Sequence, residues 1–296
     1  MKDFRLAVIQ CSSVCGDLTV NLRTMEEKFE EAVGLGARLI VWPELSLTGH
    51  AEDHKEVSSM ALDLADSPVQ KAVGLSGMHS VCCCFGLYER SGKEYYNTSI
   101  IAENGKIVGF HRKVHIPPRE RNIFTPGRKF DTFQLPFARV GISICYDNEI
   151  PESHLCLALN GAEVILMPTG WADHWEKEDY IEPCSSDSEV VAERERWMKM
   201  MFGARCRDTG TFSALANKTG TEKSGSWKFV GKSMIFAPTG RVIGEAGAWS
   251  DEIITADLDA ELFQKYRAMD AWAMRGRRPS VYGSLVEEGK TGGQKN

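Results

Sequence analysis

Short apolar runs alternate with segments of helical periodicity along almost the whole chain, and this alternation restricts the fold more than any other feature of the sequence. We predict strands at residues 4–11, 38–42, 81–88, 96–102, 106–111, 130–134, 139–145, 163–167, 212–217, 233–237 and 253–257. We predict helices at residues 21–33 with Asn21 as the cap, from Ser67 onward, and at 151–160, 189–208 and 259–269. No linker divides this series, so the pattern indicates one layered α/β fold.

The composition excludes several classes of protein. Hydrophobic residues make up 43% of the 296 residues, which is enough for a large core. The 35 basic and 41 acidic residues give a net charge of −6 without any basic block, so we expect no nucleic-acid partner. The first residues lack the apolar core of a signal peptide, and no run reaches the roughly 18 apolar residues of a membrane span. We therefore expect a cytoplasmic protein with no membrane partner.

The nine cysteines are odd in number and lack the spacing of a disulfide framework, so most are expected to be reduced and buried. Three of them are consecutive, at residues 82–84, inside a predicted strand. Neighbouring strand residues point to opposite faces, so these three do not form a chelate by themselves. A strand in the core is preferred over a metal or redox site.

Cys145 differs from the other cysteines in its context. It ends the apolar run 138–144, and a helix that starts at Pro151 follows shortly after it. This pattern predicts a sharp turn from strand to helix, which exposes the side chain. A helix N-terminus at that place favours the thiolate over the thiol. Cys145 is therefore the candidate nucleophile.

Two other predicted strands also end at an ionisable residue, Glu44 after residues 39–43 and Lys113 after residues 110–112. If the three strand ends meet, they form a hydrolytic set. The glutamate accepts the thiol proton if partial burial raises its pKa, and the lysine and the amide after Cys145 stabilise an oxyanion. Each residue also has an ordinary interpretation. Glu44 can be a solvated loop residue, Lys113 a polar strand end and Cys145 a thiol of the core. Spacing alone does not decide between them.

The three segments resemble the signature motifs of the nitrilase, or carbon–nitrogen hydrolase, superfamily. The motifs are WPELSLTG at residues 42–49, HRKVHIP at 111–117, and GISICYD at 141–147 followed by Pro151-Glu152. Their order and separation also agree, and the resemblance extends from about residue 4 to about residue 270. It implies a four-layer α-β-β-α sandwich that assembles into homodimers or larger homo-oligomers. We expect one catalytic domain at residues 1–280 and a tail at 281–296 that is flexible or contacts another subunit.

The resemblance implies a role for each matching residue. Glu44 is the general base, Lys113 the transition-state stabiliser and Cys145 the nucleophile. Glu120, shortly before FTPG at residues 124–127, orients the substrate or the first glutamate. The implied reaction is attack of the thiolate on an amide-type carbon, loss of ammonia or an amine, and hydrolysis of the thioester by water. No metal or organic cofactor is required.

The residues after the cysteine bear on the substrate. Nitrilases typically carry Trp-Glu there, whereas Tyr146-Asp147 resembles the amidase and carbamoylase branches, which favours a small amide or ureide over a nitrile. Carbamoylases for N-carbamoyl amino acids often have an arginine shortly afterwards. Here Asn148 and Glu149 occupy those places, so we predict an uncharged or cationic substrate group near Glu149. Arg119 or Arg121 remains an alternative site for a carboxylate.

Further candidates for the pocket follow the predicted strand 163–167: Trp171, Asp173, His174 and Trp175. They belong to the pocket or to a surface loop anchored by two tryptophans, and residues 173–188 form a predicted insertion loop. His50 and His54 are rim residues of the pocket or, in the preferred interpretation, solvated side chains. Asn217 is expected to make structural hydrogen bonds behind the site. The other functions considered are a nitrilase, a thioester-based acyltransferase and a scaffold without catalytic activity.

Overall fold

The structure is a computed structural model that describes residues 1–51, 53–174, 177, 182–221 and 227–287. The strands are β1 (Phe4–Gln10), β2 (Leu39–Val41), β3 (Cys82–Ser91), β4 (Glu94–Glu103), β5 (Lys106–Arg112), β6 (Thr132–Gln134), β7 (Arg139–Ile142), β8 (Val164–Thr169), β9 (Phe212–Asn217), β10 (Thr219–Thr221), β11 (Lys228–Val230), β12 (Met234–Phe236), β13 (Val242–Glu245) and β14 (Glu252–Leu258). The α-helices are α1 (Leu18–Gly34), α2 (His54–Met60), α3 (Ser67–His79), α4 (Pro151–Leu159), α5 (Asp187–Thr209) and α6 (Ala260–Ala268).

Two six-stranded sheets form the centre of the molecule. The first has the order β14-β1-β2-β3-β4-β5, and the second has the order β13-β12-β9-β8-β7-β6. Strands β1, β2 and β3 are parallel to one another, as are β7, β8 and β9. The carboxyl ends of β7, β8 and β9 therefore lie at one edge of the second sheet. Binding sites of α/β proteins are usually found at such an edge.

Side-chain alternation along the strands builds the layers. In β1, Leu6 and Val8 pack in a core cluster with Val140 and Ile142 of the second sheet. The intervening residues of β1 pack instead with Phe29 of α1 and with residues of α3. Helices α4 and α5 contribute side chains from the far side of the second sheet to the first of these clusters. This is the predicted four-layer α-β-β-α sandwich.

The three consecutive cysteines follow the same alternation. Cys82 and Cys84 belong to the cluster between the sheets, whereas Cys83 belongs to the cluster under the helices. All three are buried in β3. The pKa of the Cys83 thiol is raised, and burial is the largest cause. The prediction of a core strand is confirmed.

Most predicted elements are present, and the differences have local causes. Helix α1 begins three residues earlier than predicted because Asp17, rather than Asn21, caps it by accepting from the Val20 amide. Asn21 lies inside the helix and donates from its side chain to the carbonyls of Val14 and Leu47. Helix α2 and strands β10, β11 and β13 are short elements that the sequence analysis did not predict.

The β4–β5 hairpin positions the lysine segment. Its tip is the predicted Asn104-Gly105, with φ of +49° and +72°, values that a type I′ turn requires. After β5 ends, the Lys113 amide still donates to the Asn97 carbonyl at 2.9 Å. The hairpin thus fixes the backbone of Lys113.

Among the described residues, no helix has both the length and the apolar character to cross a bilayer. In the predicted tail, residues 281–287 form short turns, and 288–296 lie outside the described residues. The division between domain and tail stays a prediction.

Candidate active site

Cys145 lies at a strained turn. Strand β7 ends at Ile142, three residues before the predicted end, and Cys145 begins a 3-10 helix that runs to Glu149. Its φ of +45° lies in the left-handed region, which is costly for a residue with a side chain. Such strain persists only where the surroundings fix it, and it is common at functional sites. The predicted turn is present, and helix α4 follows it at Pro151.

Asp147 holds this turn in place. Its carboxylate accepts from the amides of Ile144 at 3.2 Å and His115 at 2.8 Å, and it bonds the rings of His111 at 3.0 Å and His115 at 2.9 Å. Burial alone would raise the pKa of Asp147, but the hydrogen bonds from His111 and His115 outweigh it and hold this pKa well below its usual range. The buried carboxylate therefore ties the lysine segment to the cysteine turn. In the sequence, Asp147 indicated only a branch of the family.

Glu44 is fully buried in the turn that follows β2. Its Oε1 accepts from the Lys113 ammonium at 2.9 Å and from the Asn97 side-chain amide at 2.8 Å. Its Oε2 has no hydrogen-bond partner among the described residues. Burial raises the pKa of Glu44, but the Lys113 charge and these hydrogen bonds outweigh it, so the net pKa is lowered. Glu44 is therefore a carboxylate, although we had expected burial to raise its pKa.

Lys113 joins two carboxylates. Its ammonium donates to Glu44 and, at 3.3 Å, to Oε2 of Glu120. Burial lowers the pKa of Lys113, but the charges of Glu120 and Glu44 raise it well above its usual value. The pKa of Glu120 is raised, in contrast to that of Glu44. Burial and the Glu44 charge raise the pKa of Glu120 more than Lys113 lowers it. The site therefore holds a fixed cation, a carboxylate and a second carboxyl group of higher pKa.

The thiol of Cys145 is protonated in this environment. Burial, followed by the Glu44 charge, raises the pKa of Cys145 well above its usual value. Lys113 and the Gly170 N–H, which donates to the sulfur, lower it by less. The expectation that the helix N-terminus yields a resting thiolate was wrong. The proton has to move to a base when a substrate binds.

A cavity of about 390 Å³ opens beside these residues. Its lining includes the predicted residues Glu120, Cys145, Tyr146, Glu149, Trp171 and His174. It also includes residues that were predicted elsewhere or not considered for the site, namely His50, Pro117, Pro118, Gly170, Ala172, Arg194 and Trp227. Arg119 lines the cavity, whereas Arg121 does not. Trp175 lies outside the described residues, as do residues 176 and 178–181 of the predicted insertion loop 173–188.

Asp173 is not part of this lining, contrary to its prediction as a substrate-binding residue. Its carboxylate accepts from the Lys177 ammonium at 2.8 Å and from the Lys228 amide at 3.2 Å, while its own amide donates to the Lys228 carbonyl. These bonds connect the segment after β8 to β11. Asn217 confirms its predicted structural role, since its side chain bonds the Trp171 amide and the Gly231 carbonyl.

Within the described part of the chain, no three His, Cys, Asp or Glu side chains are grouped so that they could hold a metal ion.

Sequence comparison identifies the family. The family model described as "Carbon-nitrogen hydrolase" matches residues 5–268, so the chain belongs to the carbon–nitrogen hydrolase family. The chain is 30% identical over 302 residues to a citrullinase from Francisella tularensis subsp. tularensis, covering 97% of this chain and 100% of that protein. It is 28% identical over 287 residues to an N-carbamoylputrescine amidase from Arabidopsis thaliana, covering 91% of each chain.

Structural comparison bears on the fold. The fold is similar to that of a mutant of the Nesterenkonia AN1 amidase from the nitrilase superfamily, with a TM-score of 0.78. The sequence identity is 23%, and the match covers 96% of this chain and 97% of that one. This similarity confirms the predicted fold class.

Proposed function

We propose that the protein is a thiol-dependent amidohydrolase that cleaves a carbon–nitrogen bond of a small amide or ureide through a thioester on Cys145. The observation that carries this proposal is the contact of Lys113 with both Glu44 and Glu120, of which Glu120 lines the same cavity as the strained Cys145. Membership of the carbon–nitrogen hydrolase family supports it.

The first half of the reaction forms the thioester. Glu44 takes the Cys145 proton on Oε2, the oxygen that Lys113 and Asn97 leave open. The sulfur attacks the carbonyl carbon, and the Lys113 ammonium and the Tyr146 amide stabilise the oxyanion. Glu44 then returns the proton to the leaving nitrogen, the carbon–nitrogen bond breaks, and ammonia or an amine departs. The negative charge on Glu44 is restored in the same step.

The second half releases the product. A water molecule takes the place of the leaving group, and Glu44 accepts its proton as it attacks the thioester carbon. The carbon–sulfur bond breaks and the thiol regains the proton. An amide yields a carboxylic acid, and a ureide yields a carbamic acid. Glu120 acts as a positioning residue, since its carboxyl group holds the other side of the Lys113 ammonium.

Two observations favour an amide or ureide over a nitrile. The cysteine is followed by Tyr146-Asp147, and the relative with 30% identity is named citrullinase. The relatives at 28% identity do not discriminate, since they include both an N-carbamoylputrescine amidase and a protein named nitrilase. Glu149 lines the cavity, which supports a substrate that carries a cationic group at a distance from the reacting carbon. A carboxylate-binding role of Arg119 is the second candidate, because it lines the same cavity.

Ammonia release from a panel of amides, ureides and nitriles tests the proposal. We expect turnover of amides or ureides, complete loss with Cys145→Ala, and no change with Cys156→Ala, which alters an exposed cysteine on α4. Mass spectrometry of a quenched reaction should detect the acyl group on Cys145.

Other outcomes of the same panel identify the alternatives. Turnover of nitriles alone indicates a nitrilase, and product transfer to an added amine in place of water indicates an acyltransferase. Full activity of Cys145→Ala contradicts the mechanism. Absence of turnover across the panel favours a scaffold. Assembly into a homodimer or larger homo-oligomer stays a prediction, which sedimentation of the full chain tests.

A further inference from the structure

His50 is a buried residue of the active site. It follows the Glu44 turn, is only 5% exposed and lines the same cavity as Cys145, so the prediction of a solvated side chain was wrong. The rings of Trp227 and Phe229 pack against it with centroids at 5.8 and 5.5 Å. Its Nδ1 has no hydrogen-bond partner among the described residues. A buried nitrogen without a hydrogen-bond partner destabilises the folded protein. We therefore expect a ligand in the cavity to bond Nδ1.

The charge and proton position of the ring follow from its surroundings. Burial, then the Lys218 charge, lowers the pKa of His50 to about 3, so the ring is neutral. Its Nε2 lies 4.0 Å from Oε1 of Glu120. This distance is longer than a hydrogen bond, and we assign the N–H to Nε2, on the side of that oxygen, which leaves the lone pair on Nδ1. In this tautomer Nδ1 is a hydrogen-bond acceptor.

Gly170 brings this acceptor together with the catalytic groups. A Cβ atom on Gly170 would lie 3.0 Å from Oε2 of Glu44 and 3.5 Å from Nδ1 of His50. The Gly170 N–H itself donates to the Cys145 sulfur. Two buried acceptors without partners, Glu44 Oε2 and His50 Nδ1, therefore lie near one point beside the nucleophile.

The chemistry of the leaving group fits this pair of acceptors. The –NH2 group of a primary amide or ureide carries two N–H donors, whereas the alkoxy oxygen of an ester carries none. Glu44 exchanges a proton with the leaving nitrogen during the proposed reaction. The remaining N–H of that nitrogen needs a second hydrogen-bond acceptor, and Nδ1 of His50 can be that acceptor in place of a water molecule.

We propose that His50 is a substrate-binding residue that accepts a hydrogen bond from the leaving nitrogen through Nδ1, and that it thereby selects substrates whose leaving atom carries N–H. This inference rests on the proposed hydrolase function and assigns the part of the site that recognises the leaving group. It places His50 beside the departing ammonia, away from the acyl portion of the substrate.

An amide and a methyl ester with the same acyl group test the inference, because both give the same thioester and differ only in the leaving group. The variants are His50→Leu, which removes the acceptor, and His50→Asn, whose side-chain oxygen can take the place of Nδ1. His54→Leu is the matched control, because His54 is an exposed histidine on α2. The full-length enzyme is assayed for kcat and KM with each substrate.

We expect His50→Leu to lower kcat/KM for the amide roughly 10-fold, the value of about one hydrogen bond, with no change for the ester. His50→Asn should recover most of the amide activity, and His54→Leu should leave both substrates unaffected. Equal losses with amide and ester would show a structural role and overturn the inference, as would an unchanged amide rate. If the unsubstituted enzyme turns over neither substrate, the proposed function fails, and the inference with it.

Discussion

Oε1 of Glu44 accepts a hydrogen bond from Nζ of Lys113 at 2.9 Å, and both side chains are closed off from solvent. Burial alone would neutralise each of them, by raising the pKa of the acid and lowering that of the base. Their contact reverses both effects, so that the Glu44 pKa is lowered and the Lys113 pKa is raised well above its usual value. The pair keeps a carboxylate and an ammonium ready beside a neutral thiol.

Replacement of Lys113 by methionine should damage both activity and stability. The oxyanion loses its cation, which we expect to lower kcat by a factor of about 10³. The buried Glu44 and the half-buried Glu120 lose their common partner, and the free energy of unfolding should fall by about 3–5 kcal/mol. Steady-state kinetics and denaturant unfolding measure the two effects.

The control for this substitution is Lys265→Met, which breaks an exposed pair with Glu261 on α6. We expect it to leave both kcat and the unfolding midpoint unchanged, because exposed pairs contribute little. A Lys113→Met enzyme that retained a third or so of the original kcat would contradict the assignment of Lys113 as the oxyanion cation.

Asp147 should give the protein a stability that depends on pH. Its folded-state pKa lies below the unfolded value of about 3.9, so its contribution is fully present above that pH and is lost as the pH falls through the folded pKa. Asp147→Asn should lower the free energy of unfolding by about 3 kcal/mol at pH 7. The difference from the unsubstituted protein should shrink as the pH falls below about 4.

Denaturant unfolding at a series of pH values tests this expectation. Asp257→Asn is the comparison, because Asp257 pairs with Arg5 at the surface and should show a much weaker effect. A difference between Asp147→Asn and the unsubstituted protein that stays constant over the whole series would show that the charge of Asp147 is not what stabilises the turn.

Local patterns were sufficient to predict most strands and the turn at Cys145, and the motif resemblance also indicated Glu44, Lys113 and Glu120. Contacts between distant segments were not predictable in this way. His50 is buried because Trp227 and Phe229, which come about 180 residues later in the sequence, pack over it. Asp173 faces Lys228 for a similar reason, since the pairing of its segment with β11 decides which way its carboxylate points.

The protonation states of the active-site residues were not predictable from local patterns either. Position in the sequence suggested a thiolate at Cys145 and a glutamate of raised pKa at Glu44. The structure reverses both, because burial raises the thiol pKa while the contact with Lys113 lowers the pKa of Glu44. Such shifts depend on distances between side chains of different strands, which no local pattern contains.

Glu149 should affect the choice of substrate more than the chemistry. It lines the cavity and takes no part in the proposed proton transfers. We expect Glu149→Gln to lower kcat/KM about 10-fold or more for amine-bearing substrates and to leave neutral amides nearly unaffected. Glu152→Gln, an exposed position in the first turn of α4, is the matched control. An equal loss of kcat/KM for amine-bearing and neutral substrates would contradict the proposal of a cationic substrate group.

Gly170 leaves space that the substrate needs. A Cβ there would lie 3.0 Å from Oε2 of Glu44 and 3.3 Å from Cε1 of His50, closer than ordinary contacts. Gly170→Ala should therefore displace the base and lower kcat/KM by a factor of about 10². Gly74→Ala in α3 has no neighbour within 4 Å of the new atom and should keep full activity with unchanged or slightly raised stability. Kinetics and thermal unfolding of the two variants separate these effects, and a fully active Gly170→Ala enzyme would mean that the substrate does not bind between Glu44, His50 and Cys145.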